Sequence, residues 1–313
     1  MERVRITDVS PRDGLQNEAG VIATAEKVRL VDLLAGSGVD EVEVTSFVSP
    51  KWVPQLGDAA EVLSRVAMPP AGVVYSALVP NEKGFEGALA ANGARRGILG
   101  KVSVFTAASE TFARKNTNAS IAETIERFVP VVSRAHAAGL RVRGYVSCVV
   151  ACPFEGAIEP SQVARVSARL LEIGVDEIDL GDTIGAGTPG TIRAMLEAVL
   201  GSCPSLRGSG GSAAAETLTL HLHDTFGRAA ACVAEALRAG VRSFDGSAGG
   251  LGGCPYASVE GRRAPGNIDT GLLVETIHAE GYRTGVDLGL LSRAGEWARE
   301  IVARARGMGR GSA

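Results

Sequence analysis

Nowhere does this chain hold an apolar run long enough to cross a bilayer, so no membrane span is expected. It has no basic excess either. The formal net charge is −3, which excludes the positive footprint that nucleic-acid binding requires. Aromatic residues make up only 4%, and the five cysteines are an odd number scattered through 313 residues. Such a pattern does not build a disulfide framework, and a reducing cytoplasm is the simplest compartment for it. The opening residues run from Met1 straight into a strand pattern, leaving no stretch to read as a signal or transit peptide. No G-x-G-x-x-G follows the first strand, which argues against a dinucleotide-binding fold. Histidine is scarce as well, with four in all.

Two of those four sit together in Thr217–Gly227, TLTLHLHDTFG. Thr217, Thr219, His221 and His223 alternate with three leucines, and Asp224 and Gly227 stop the run. Period-two alternation reads as a β-strand, whose side chains two apart share a face. His221 and His223 therefore project the same way from a strand end, an arrangement that suits an imidazole-accepting divalent ion. An isolated H-x-H is as readily a pair of polar residues on a half-exposed strand; the decision rests on whether oxygen ligands come from elsewhere.

The rest of the chain supplies a frame for them. Hydrophobic residues at 45% are ample for a buried core, and 40 glycines suggest tight turns between repeated elements. Strand patterns at 4–9, 40–46, 72–78, 98–105, 140–150, 175–180, 217–223 and 241–245 alternate with helical patterns, among them 24–35, 81–91, 120–138, 161–173, 189–200, 229–239 and 270–279. Eight strand–helix units in this length predict an α/β fold, a (β/α)8 TIM barrel, over about 3–280. One or two further C-terminal helices are expected over about 286–308, all within a single domain, 1–313. Residues 203–215 join a helix to a strand, so they belong at the end opposite the chemistry.

Barrels of this kind collect catalytic groups at the carboxyl ends of their strands. Those positions hold Arg12 and Asp13, Glu43, Tyr145, Asp179 and Asp182, His221 and His223, then Cys254 and Asn267 in the long segment after strand eight. Asp13, His221, His223 and Asn267 offer two nitrogens and two oxygens, a set that suits Mg2+ or Mn2+ with water or substrate completing an octahedron. Arg12, beside that set, is a fixed cation able to face developing negative charge. Glu43 and Asp182 are expected to pair with a cation, Arg12 being the candidate, and to fix its orientation. Gly249–Tyr256, GGLGGCPY, has the glycines of a mobile active-site loop, and Cys254 on it is expected to be functional rather than inert.

With these residues in hand, the chain resembles the 3-hydroxy-3-methylglutaryl-CoA lyase family along nearly its whole length. The resemblance rests on SPRDGLQNE (10–18), TSFVSPKWVPQLGD (45–58), RGYVSC (143–148), LGDTIGAGTP (180–189), HLHDTFG (221–227) and GLGGCPYA (250–257). It implies a metal-dependent Claisen-type barrel that cleaves an acyl-CoA substrate to acetyl-CoA and acetoacetate, and it suggests a homodimer. By position, Asp13, His221, His223 and Asn267 would bind the metal, Arg12 would face the thioester carbonyl, and Cys254 would lie on the catalytic loop. Tyr145 and Asp179 join Arg12 as substrate-binding candidates. Cleavage of the C2–C3 bond needs a base for the C3 hydroxyl, with Asp13 and His221 both open, and a proton for the enolate carbon from His221 or Cys254. Arg12 at the enolate oxygen would be worth about 3–4 kcal/mol as an oxyanion donor.

This sequence departs from that pattern in three places. Thr106 stands where a glycine is expected, Asp179 where a serine is expected, and the segment SVEGRRAPG (258–266) is longer and more charged. An acid at 179 would alter acyl preference, so a related 3-hydroxyacyl-CoA is the first alternative substrate. A Claisen-condensing synthase or an aldolase of the same superfamily is the next alternative, and a non-catalytic metal-binding barrel is the reading outside enzymes.

Overall fold

The computed structural model describes residues 1–207, 217–253 and 266–308. Eight parallel strands close a barrel: β1 (Arg5–Asp8), β2 (Glu41–Ser46), β3 (Val74–Leu78), β4 (Lys101–Ala107), β5 (Arg141–Ser147), β6 (Glu177–Asp182), β7 (Leu218–Leu222) and β8 (Ser243–Gly246). Each strand pairs with its neighbours in sequence, and β8 returns to β1 through Arg5–Ser243, Ile6–Phe244 and Thr7–Asp245. Between them run α1 (Thr24–Gly36), α2 (Ala59–Arg65), α3 (Glu82–Ala94), α4 (Glu110–Thr117), α5 (Ile121–Ala137), α6 (Pro160–Glu172), α7 (Pro189–Ser202) and α8 (Ala229–Arg238). Two more, α9 (Thr270–Ala279) and α10 (Leu288–Met308), follow β8.

The helices start where their sequences place a cap. Ser120 accepts from the Glu123 amide while the Glu123 carboxylate accepts from the Ser120 amide, a reciprocal capping box for α5. Thr188 caps α7 ahead of Pro189, and the Asp269 carboxylate accepts from the Gly271 and Leu272 amides to open α9.

Strand alternation divides the molecule into two interiors. Val42, Val44, Val102, Val104, Val142, Ile178, Leu180, Leu218, Leu220 and Phe244 belong to the apolar core shared with helix residues such as Leu30, Leu34, Val131 and Leu196. The alternate positions, Glu41, Glu43, Lys101, Arg143, Glu177, Asp179, Thr219 and Asp245, are buried too, but inside the barrel. Barrel lumens are ordinarily filled by branched apolar side chains; this one is filled largely with charge.

Three local features differ from the sequence expectation. The residues after β1 form a short, wide helical turn over Ser10–Gly14 rather than an open loop. The segment after β4 carries α4, capped by Ser109 and ended by Asn118 in the left-handed region, and a two-stranded ribbon pairs Ala151–Cys152 with Gly156–Ala157. The tail, by contrast, is one helix, within the one or two expected.

That last helix closes over the β1 loop. Arg306 makes two 2.9 Å contacts with the buried carboxylate of Glu18. A Cβ at Gly20 would lie 2.1 Å from the Ala305 carbonyl oxygen, so only glycine lets the two backbones approach this closely. From the other side Gln55 donates to the carbonyls of Glu18 and Gly20.

Candidate active site

At the carboxyl end of the barrel the β1 turn delivers Arg12 and Asp13 over the strand ends. Arg12 Nε donates to Glu43 Oε2 on β2 at 2.5 Å, and Nη1 donates to Asp13 Oδ1 at 2.7 Å. Its guanidinium lies 5.4 Å from the Tyr145 ring centroid. Buried between two carboxylates, Arg12 is held charged, its pKa raised above the usual arginine range because Glu43 and Asp13 outweigh desolvation. Burial would raise Asp13, yet Arg12, His221, His223 and the Asn267 bond together hold its carboxyl at about 2. Asp13 also accepts from Gln16 Nε2 at 2.8 Å and from Asn267 Nδ2 at 2.8 Å.

The histidines stand side by side, ring centroids 5.2 Å apart. Ligand atoms of Asp13, His221 and His223 all lie within 4.8 Å of one another. His223 bridges to Asn267 through the backbone, which brings the Asn267 amide to the same corner. His223 is pushed down to about 4 by burial, by His221 and by Arg12, so it presents a neutral imidazole at pH 7. Buried His223 Nδ1 and Asn267 Oδ1 have no hydrogen-bond partner among the described residues. Both are lone-pair donors of the kind a divalent cation takes, and the donor set fits such an ion.

Arg12, Asp13, His221 and His223 line the floor of a cavity of about 790 Å³. Its walls come from Trp52 and Pro80 on one side and from Phe112, Lys115 and Arg127 of α4 and α5 on the other. Tyr145 lines it, with burial and the nearby acids Glu43 and Asp245 raising its phenol well above the usual value. Tyr145 therefore stays neutral.

Not every expected residue stands where the strand ends suggested. Asp182 does not support Arg12: its carboxylate accepts from the Ala186 and Gly187 amides at 3.1 and 2.7 Å, anchoring the loop that follows β6. Asp179 is fully buried and is not among the cavity-lining residues; it lies below the floor, where neither oxygen accepts a hydrogen bond from the described residues and Arg143 Nη1 stands off at 3.5 Å. Burial and adjacent Asp245 push its carboxyl well above the usual range. Thr106 points out of the barrel to Thr124 on α5, Oγ1 to Oγ1 2.8 Å, and so has no direct place in substrate choice. Cys254, with Arg262 and Arg263, lies outside the described residues.

The HMGL-like family model matches residues 3–297, nearly the whole length. This chain belongs to the HMGL-like family. It is 47% identical over 303 residues to the mitochondrial hydroxymethylglutaryl-CoA lyase of Bos taurus, an alignment covering 97% of this chain and 87% of that protein. The crystal structure of the HMG-CoA lyase of Brucella melitensis superposes with a TM-score of 0.87 at 46% identity, covering 97% of this chain and 100% of that one. An HMG-CoA lyase from Acinetobacter baumannii, solved with coenzyme A and 3-methylmalate, matches with a TM-score of 0.84 at 32% identity over 96% of this chain and 92% of that one.

Sequence reasoning missed several groups in this HMGL-like site. Gln16 holds Asp13, Asn17 Nδ2 donates to the Gly253 carbonyl at 3.3 Å, and Asp245 faces His221. Gln16 and Asn17 lie in the RDGLQNE stretch and were visible as polar neighbours of Asp13; Asp245 ends a strand pattern and carried the same positional signal as Asp182.

Asp182 gives a pH prediction. Burial raises its carboxyl to about 6 against the bonds from Gly187 and Ala186, which lower it. Between about pH 4 and 6 the folded protein keeps a proton that the unfolded chain has released, so this group makes stability fall as pH rises through that window. Urea midpoints of wild type and Asp182→Asn across pH 4.5–7 are expected to diverge, the wild type losing more stability on going upward. Parallel curves would contradict a raised Asp182.

Proposed function

We propose that this chain is a divalent-metal-dependent lyase that cleaves (S)-3-hydroxy-3-methylglutaryl-CoA to acetyl-CoA and acetoacetate by retro-Claisen cleavage of the C2–C3 bond. The observation that carries it is the corner where Asp13, His221 and His223 converge within 4.8 Å beside the buried guanidinium of Arg12. Relatives named for this activity over almost the whole chain, one of them holding coenzyme A, support the acyl-CoA substrate.

Asp13, His221, His223 and Asn267 would hold Mg2+ or Mn2+. A bound divalent ion lowers the pKa of the C3 hydroxyl and orients the substrate oxygens. The remaining work falls to the chain itself. Arg12, fixed by Glu43 and Asp13, meets the thioester oxygen as it gains enolate charge, a donor already aimed before the reaction begins. Asp13 or His221 takes the hydroxyl proton; C3 becomes a ketone as the C2–C3 electron pair moves to the thioester fragment. His221 or Cys254 returns a proton to the enolate carbon. Tyr145, neutral and beneath Arg12, forms the floor on which the acyl group rests.

The reading extends to one catalytic domain over 1–313 acting as a homodimer in the cytoplasm. The resemblance supports the dimer. The buried free thiols of Cys152, Cys203 and Cys232 support a reducing compartment, and no described helix is long and apolar enough to cross a membrane.

The test is a coupled assay for acetoacetate release from the purified protein. Turnover is expected to disappear after chelation and to return with Mn2+ or Mg2+. Cleavage that survives complete removal of divalent ions would overturn the metal role. Bound metal without turnover would move the substrate to another 3-hydroxyacyl-CoA.

A further inference from the structure

The two histidines of the site differ in what stands behind them. His223 Nδ1 has no partner among the described residues, whereas His221 Nδ1 lies 3.3 Å from Asp245 Oδ2. Asp245 comes from β8, is buried, and lines no part of the cavity. Its other oxygen, Oδ1, accepts from Arg143 Nη1 at 3.3 Å. Arg143 is itself held inside the barrel by Glu177 Oε1 at 2.8 Å, Glu41 Oε2 at 3.2 Å and Thr7 Oγ1 at 3.1 Å. Asp179, His221 and Asp245 also converge within 4.8 Å. The guanidinium of Arg143, 3.3 and 3.5 Å from the two carboxyls, puts a positive charge at that second cluster and leaves it unsuited to another cation.

We propose that Asp245 is a positioning residue for the metal site: it accepts the hydrogen bond of His221 Nδ1–H and so leaves Nε2 as the free lone pair facing the ion. Both ring nitrogens are then engaged, which leaves the base role to Asp13 and the return of the proton to Cys254. A histidine ligand commonly has its second ring nitrogen fixed by a carboxylate, which sets both tautomer and ring orientation. Here the carboxylate is fixed in turn, because Arg143 claims the oxygen that His221 does not. The proposal rests on the metal reading of Asp13, His221, His223 and Asn267.

The chain of contacts dictates what Asp245→Asn does. A carboxamide has one acceptor oxygen, and Arg143, a permanent donor, draws it. The NH2 then faces His221, forces Nδ1 to accept, and moves the ring proton to Nε2, where it blocks coordination. A comparable Asp→Asn change in a Ser-His-Asp triad leaves geometry intact and imposes the wrong tautomer.

The experiment uses the full-length protein labelled with 15N in its histidine rings. The four histidines are His136, His221, His223 and His278, and His136→Gln and His278→Gln variants assign the two remote rings. In metal-free wild type the His221 signals are expected to show Nδ1 protonated and Nε2 bare, and in Asp245→Asn the reverse. The Mn2+ dissociation constant, read from the EPR signal of free Mn2+, is expected to rise about tenfold to hundredfold in the variant. A wild-type His221 carrying its proton on Nε2 overturns the proposal, and so does an Asp245→Asn protein that binds Mn2+ as tightly as wild type. Should the variant fail to fold, the wild-type tautomer decides alone. Wild-type protein that binds no Mn2+ would instead sink the metal reading, with the tautomer still measured on its own.

Discussion

Replacing Arg12 with Met is expected to lower kcat for acetoacetate release about 10²–10³-fold, the usual loss on removing one preorganised donor from a developing oxyanion. The effect should fall on kcat and kcat/KM alike, since the charge Arg12 meets exists only in the transition state. A rise in KM alone would instead assign Arg12 to ground-state binding. The substitution has a structural cost as well. Glu43 is fully buried, its Oε1 already lacks a partner among the described residues, and Arg12 is the cation on its Oε2. Losing that cation leaves an uncompensated buried charge, worth about 3–5 kcal/mol of destabilisation. Arg12→Met with Glu43→Gln removes both charges, so its thermal midpoint is expected to recover while its kcat does not. Recovery of both would show that Arg12 acts through the fold rather than on the substrate.

Arg143→Met is expected to destabilise the fold by about 3–5 kcal/mol in denaturant unfolding, because one guanidinium serves several acids. Glu41, Glu177, Asp179 and Asp245 all lie within 3.5 Å of it. Lys101, 2.5 Å from Glu41 and from Glu177, is the cation left in that cluster. Glu177 is held low, to a pKa below the usual carboxylate range, by Arg143 and Lys101 against strong desolvation. Without Arg143 that balance reverses and the acids take up protons. Stability of the variant is therefore expected to fall more steeply than wild type as pH rises from 5 to 8. A variant as stable as wild type at pH 8 would mean that the lumen tolerates unpaired carboxylates.

The barrel could be read from the sequence because its signals are local. Strand alternation, the capping pair Ser120 and Glu123 and the Thr188–Pro189 start lie within a few residues of the elements they set. The convergence of Arg12, Asp13, His221 and His223 followed from strand ends. Asn267, in the long segment after the last strand, was the weakest reading from residues alone and leaned on the family resemblance. What escaped depended on closure. EVEVTS, RVRGYVS and EIDLGD each open with charge at their first and third positions, yet only the closed barrel makes that face a lumen rather than a solvated surface. Asp179 lies three residues before the end of its strand, one layer too deep to reach substrate. Asp182 does lie at the end, but nearby backbone amides won it before any distant arginine could. The helix α4 was missed because ETFARKNT is short and polar, with its identity set by Ser109 and Asn118 at its ends.

The contact between Arg306 and Glu18 has a consequence for how the protein comes into being. It joins positions 288 residues apart in sequence, and the loop it secures is the one that carries Gln16 and Asn17 to the metal corner. Translation delivers the amino-terminal strand first, at about 5–20 residues per second. For most of its time on the ribosome, a nascent chain thus owns Arg12 and Asp13 but not the brace that sets their loop. The centre is assembled last although its first residues are made first, and a chain released before α10 emerges carries every proposed ligand without the frame to hold them.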